Sequence, residues 1–173
     1  MHIIHRNIPG LLVAALIALA SRGYGQANPK PMLTTPTATP MRVYALRLKP
    51  GQDLKKEIMQ LARTQQIRAG CVVTCVGSLQ EANLRFANQP VGTPMPGKFE
   101  ILSLVGTFSV DAAHLHLSIA DSTGRTFGGH LMDGNRIYTT AELVIGIMPE
   151  LEFVREADPT YGYQELLVRK RKK

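Results

Sequence analysis

The chain has 173 residues, 45% of them hydrophobic and 19% charged, with five phenylalanines, five tyrosines, no tryptophan and two cysteines. That is one ordinary domain in length, too apolar for a disordered chain and too poor in cysteine for a disulfide framework. The net charge of +7 sits at the ends, because residues 28–168 hold 13 basic and 13 acidic side chains; a folded nucleic-acid surface usually carries a basic excess.

In chain order, Arg6 precedes the apolar run Leu11–Ala20, and Gly25-Gln26-Ala27 supplies small residues at the spacing of a cleavage site. A positive start, a short apolar centre and a small-residue end make a secretory signal. The run is about half the length of a membrane-spanning helix, so residues 1–27 are expected to be a signal peptide and the mature protein secreted or periplasmic, without a transmembrane span. Residues 28–40 contain four prolines and four threonines and read as an extended linker. The folded domain is expected over 41–168, followed by a basic tail, 169–173.

Within the domain, Arg42–Leu48 reads as a strand ended by Pro50-Gly51. Asp53 is placed to cap a helix over Leu54–Arg63, with Leu54, Ile58, Leu61 and Ala62 on one face, and Gly70 is expected to close that element. Strands follow at Cys71–Gly77 and Glu81–Asn88, then a loop over Gln89–Lys98, which has three prolines and two glycines. Further strands are expected at Phe99–Val110, His114–Ala120 and Arg125–Leu131, with Arg136–Met148 as two short strands or one long bent one. Glu152–Glu156 and Tyr163–Val168 complete the set. One helix followed by a run of antiparallel strands predicts a single α+β domain with a large antiparallel sheet. Cys71 and Cys75, four apart on a strand, would share a face at about 13 Å. That exceeds disulfide reach, so they read as two small buried side chains.

Three of the five histidines gather in His114-Leu115-His116 and Gly128-Gly129-His130. Alternation puts His114 and His116 on one strand face, about 7 Å apart at Cα. A turn at Ser122-Thr123-Gly124, with glycine in the left-handed position, pairs Asp121 with Arg125 and sets His130 opposite His116. That register places Leu115, Leu117, Ile119, Phe127 and Leu131 on one face and the histidines on the other, whereas a shift of one residue scrambles both. Three imidazoles with an open fourth position form the ligand set of catalytic zinc sites. Gly128 and Gly129 are expected to leave room for a ligand, and Glu142 is a weak candidate for a general acid or base.

The runs Gly97–Thr107, His114–Asp121, Gly124-Arg125, Gly128–Leu131 and Thr139–Glu142 resemble the PPC domain, conserved in plants and prokaryotes. The resemblance covers about residues 41–170. It implies a compact, PPC-like α+β domain assembled as a homotrimer, with a fold similar to that of acetolactate decarboxylase. The zinc of that enzyme is held by a comparable histidine set, which carries over to His114, His116 and His130 as metal ligands. Plant members of the family join the domain to an AT-hook and bind DNA. This chain has no Arg-Gly-Arg-Pro hook, and its basic tail lacks the glycine and proline of one.

The leading expectation is therefore an exported trimeric domain that binds a divalent metal, zinc first. Through it the domain binds or acts on a small anionic or carbonyl ligand. The alternatives are a DNA-binding protein using Arg169, Lys170, Arg171, Lys172 and Lys173, and an assembly module without chemistry.

Overall fold

A computed structural model describes residues 38–172. The signal-like segment, residues 28–37 of the linker and Lys173 lie outside the described residues. Among the described residues no helix is long and apolar enough to cross a membrane.

Strand β1 spans Arg42–Leu48 and helix α1 spans Leu54–Thr64. Asp53 caps the helix as its position suggested, its Oδ1 accepting from the backbone N–H groups of Lys55 and Lys56 at 3.1 Å each. Leu54, Ile58 and Ala62 are fully buried, one per turn of the face turned to the sheet. The helix ends on Gln65 rather than near Gly70. Gln66 takes a positive φ of 50°, and Gly70 becomes the first residue of β2, Gly70–Arg85.

The remaining strands are β3, Thr93–Phe108; β4, Ala113–Ala120; β5, Thr126–Leu131; β6, Arg136–Ile147; β7, Leu151–Ala157; and β8, Gln164–Lys170. Six of the eight form one antiparallel sheet in the order β1-β6-β2-β3-β4-β5. The large-sheet α+β class is thus the observed one. Strand β5 also returns to β2, with Leu84 opposite Leu131 and Arg85 opposite His130, so β2, β3, β4 and β5 close on themselves. Leu79, Leu104, Phe108, Leu117, Ile119, Leu143 and Ile145 fill the interior beneath α1, none more than 2% exposed.

Three details differ from the sequence reading. The two short strands expected over 71–88 are the single β2, whose register shifts near Val72/Thr74, Gly77/Leu79 and Leu79/Glu81 interrupt the alternation that marks one strand. The first of these shifts also separates the cysteines. Cys75 is buried, and burial pushes its thiol up to about 12, while Cys71 is only half-buried; both are free.

The expected loop over 89–98 is largely strand. Pro94 and Pro96 pair with Asn83 and Glu81 of β2, while β4 joins β3 only from Glu100 onward. Among the described residues each proline therefore lies on a stretch whose other side has no partner strand, which is where a strand tolerates a missing N–H.

Strands β7 and β8 stay out of the main sheet. They form a separate ribbon whose Leu151 and Phe153 pack with Ala69 in a second small core. Arg169 and Lys170, assigned to the tail from sequence, end β8 opposite Glu152 and Leu151. The Arg171 N–H donates to the Glu150 carbonyl at 2.8 Å.

Candidate metal centre

Leu115 and Leu117 are buried while His114 and His116 are exposed, so alternation along β4 turns both imidazoles outward. The turn to β5 is built on Asp121. Its Oδ1 accepts from the Thr123 N–H at 2.8 Å, the Thr123 hydroxyl at 2.6 Å and the Arg125 N–H at 3.1 Å. The Arg125 guanidinium holds Oδ2 at 2.7 Å. These bonds, Thr123 foremost, hold the Asp121 carboxyl well below the usual carboxylate range. Gly124 takes a φ of +83°, the left-handed position of a three-residue hairpin loop. The ladder is the expected one: Ala120 opposite Thr126, Ile119 opposite Phe127, Ser118 opposite Gly128 and His116 opposite His130.

The three rings meet as that register requires. His116 Nε2 lies 3.1 Å from His114 Nε2 and 3.2 Å from His130 Nδ1. The three nitrogens fall within 4.8 Å of one another. Nitrogens about 2.0–2.1 Å from one zinc at tetrahedral angles stand about 3.3 Å apart, so both short separations fit a shared ion.

Protonation favours the same use. The His114 pKa is lowered by burial first, then by His116 and the Arg155 and Arg85 charges, with Glu165 opposing. The His130 pKa is lowered by burial, then by Arg85 and the other two rings. Both rings are thereby biased toward the neutral form that carries a lone pair for a metal. A divalent metal at these nitrogens would supply a Lewis acid and lower the pKa of a bound water.

His114 and His130 border a cavity of about 920 Å³. Its wall includes Arg85 from β2, Arg155 from β7 and Glu165 from β8, none of which was singled out in the sequence. Their recruitment depends on β5 closing onto β2 and on the β7–β8 ribbon folding over, and no local pattern announces either. The glycines do not serve the expected purpose. A Cβ at Gly128 would lie 2.7 Å from the Leu117 carbonyl oxygen, and one at Gly129 would lie 2.7 Å from that of Arg85. Their lack of side chain admits the neighbouring strands rather than a ligand. Glu142 is on β6, opposite Arg47 and Val76, exposed and not among the residues lining this cavity.

Fold and site together define an α+β domain with a partly closed antiparallel sheet and a three-imidazole cluster on its rim. Residues 35–149 match the Plants and Prokaryotes Conserved (PCC) domain, and the chain belongs to that family. A bifunctional protein GlmU of Synechococcus sp. (strain JA-3-3Ab) is 49% identical over 143 residues, 83% of this chain and 22% of that protein. The chain thus spans about a fifth of that relative's length. AT-hook motif nuclear-localized protein 24 of Arabidopsis thaliana is 31% identical over 126 residues, 64% of this chain and 38% of that protein. Among solved structures, a hypothetical protein from Salmonella enterica is 41% identical with a TM-score of 0.77, covering 78% of this chain and 98% of its own. A metal-containing protein from Archaeoglobus fulgidus is 23% identical with a TM-score of 0.65, covering 76% of this chain and 99% of its own; that likeness concerns the fold.

Proposed function

We propose that this domain binds a divalent transition metal, zinc first, through His114, His116 and His130, and uses the open side of the ion to bind or act on a small anionic or carbonyl ligand. The observation that carries the reading is the gathering of three imidazoles whose ligand atoms lie within 4.8 Å, two of the separations, 3.1 and 3.2 Å, being suited to one tetrahedral ion. The Archaeoglobus relative named as metal-containing lends support. Elemental analysis of the purified protein tests it: one metal per chain in the wild type, and loss of that metal in His116→Ala. A correctly folded wild type without metal after incubation with zinc would refute it.

The reading includes a homotrimer and export. Val73 and Val76 of β2 and Leu102 and Val105 of β3 are each more than half exposed on adjacent strands, which supports cover by further copies; light scattering of the purified protein measures the mass. Export by residues 1–27 predicts a mature N-terminus near Asn28, to be read by N-terminal sequencing.

The name of the AT-hook relative supports a second reading, DNA binding through Arg169–Lys173. Since Arg169 and Lys170 belong to β8, glutamine substitution of the five residues tests it better than truncation does. DNA affinity that falls steeply with salt and vanishes in that variant is the signature.

A further inference from the structure

Two arginines stand beside the histidines without acidic partners. Arg85 is the cross-strand neighbour of His130, so the two side chains leave the same face of the ladder. Arg155 donates from Nη2 to the Thr107 hydroxyl at 3.3 Å, and Thr107 is the cross-strand neighbour of His114. Both arginines line the cavity that His114 and His130 border. Among the described residues neither has a carboxylate within 4.0 Å. Arg85 spends only Nη1, on the Gln89 carbonyl at 3.3 Å. Lys55, the third base of the wall, is engaged by Asp133 at 3.5 Å. Among the described residues Glu165 is the single acid of the lining.

A guanidinium stays charged at all working pH values, and its planar fork matches a carboxylate bidentately. Two such forks left open beside three imidazoles make an anion seat. Leu131 and Ala113 contribute apolar wall, while Gln164 and Tyr163 add neutral hydrogen-bonding groups. A bare inorganic oxyanion would leave that apolar wall to water, whereas a small carbon skeleton covers part of it.

We propose that the cavity receives a small organic carboxylate, its carboxylate held by Arg85 and Arg155 and a second oxygen, hydroxyl or carbonyl, directed at the three imidazoles. The second half of this assignment rests on the metal reading above; the arginine seat does not.

Calorimetric titration of the full chain with L-malate and pyruvate tests it, with inorganic phosphate and glycerol as comparison probes and metal content measured on the same samples. At least one organic acid should bind, and Arg85→Gln and Arg155→Gln should each weaken it about tenfold or more at unchanged metal content, as for loss of a charge-assisted bond. Phosphate and glycerol should bind about tenfold more weakly or not at all. Phosphate matching the organic acids, indifference to both arginine substitutions, or no organic acid binding to folded wild type would each overturn the proposal. If the wild type proves metal-free, the metal reading fails by itself. Arginine-dependent malate or pyruvate binding in that protein then upholds the seat, and its absence overturns it.

Discussion

His116 and His130 face each other across the β4–β5 ladder, with Nε2 of the first 3.2 Å from Nδ1 of the second. His116 also lies 3.1 Å from its neighbour His114, so it is the ring common to both short contacts. Removing it leaves the longest of the three pairings, His114 with His130, whose ring centroids stand 5.1 Å apart. His116→Ala should therefore weaken zinc by more than the roughly 10–100-fold lost on changing an outer-shell partner. His114→Ala and His130→Ala each leave one short pair and should be the milder variants. Competition against a chromogenic chelator ranks the three.

The lowered pKa values of His114 and His130 fix the sign of a pH effect. Both fall below the ordinary 6.5, so at mildly acidic pH the unfolded chain binds protons that the folded, metal-free domain does not. Stability from these rings is fully present above about pH 6.5 and is lost as pH falls through the lower folded-state values. Both rings are largely open to solvent, and the melting temperature of metal-free protein should drop by only about a few degrees between pH 7.5 and 5. A His114→Gln/His130→Gln double variant should show a flatter profile. Metal-loaded protein should show a steeper one, since the metal takes only the neutral ring. Thermal melts across that range decide the point.

The histidine cluster could be read from sequence because its hairpin is short and regular: a glycine-closed turn, strict alternation and one register that separates Leu115 and Phe127 from His116 and Thr126. Where regularity fails, so does the reading. β2 looks like two strands because bulges break its period between Val72 and Glu81. β3 hides its first third behind Pro94 and Pro96, whose tolerance depends on a missing neighbour strand. Arg85 reaches the site only through the long-range pairing of β2 with β5, and Arg155 only through the ribbon. Those contacts are set by tertiary closure, which local propensity does not encode.

Gly106 and Gly124 offer a paired test of backbone constraint. Gly106 has a φ of +134°, and a Cβ there would run into the His114 carbonyl oxygen and lie 2.9 Å from the Leu115 Cα. Gly124 has a φ of +83° with nothing within 4 Å of an added Cβ. Gly124→Ala should cost about 1 kcal/mol, the left-handed penalty alone. Gly106→Ala adds a backbone collision in the middle of the β3–β4 ladder and should cost about 2–4 kcal/mol. It should also weaken metal binding, because the strand that must yield carries His114. Urea unfolding and chelator competition on the two variants separate strain from collision; equal costs would show that the ladder relaxes around the methyl.

Asn135 ties the strand carrying His130 to the start of the helix. It is fully buried. Its amide donates to the carbonyls of Met132 at 2.7 Å and Asn83 at 2.9 Å and accepts from the Asn83 N–H at 3.0 Å. Its own carbonyl receives the Leu54 N–H at 2.9 Å, and Asp53 Oδ2 receives the Gly134 N–H at 2.6 Å. Asn135→Ala would leave the Met132 carbonyl and the Asn83 N–H without these partners and the Asn83 carbonyl with the Met132 N–H at 3.2 Å, a loss of about 2–4 kcal/mol. The disturbance should be local as well as global. Hydrogen exchange at the Asn83 and Leu54 amides should speed up before that of the Leu117 and Ile145 amides, because the first two lie at the released loop and the latter belong to the central ladder. Since Leu131 follows His130 directly and pairs with Leu84 beside this loop, zinc affinity should fall with the same substitution even though Asn135 lies outside the histidine cluster. Unchanged affinity alongside the expected loss of stability would mean that the β4–β5 hairpin alone positions the third imidazole.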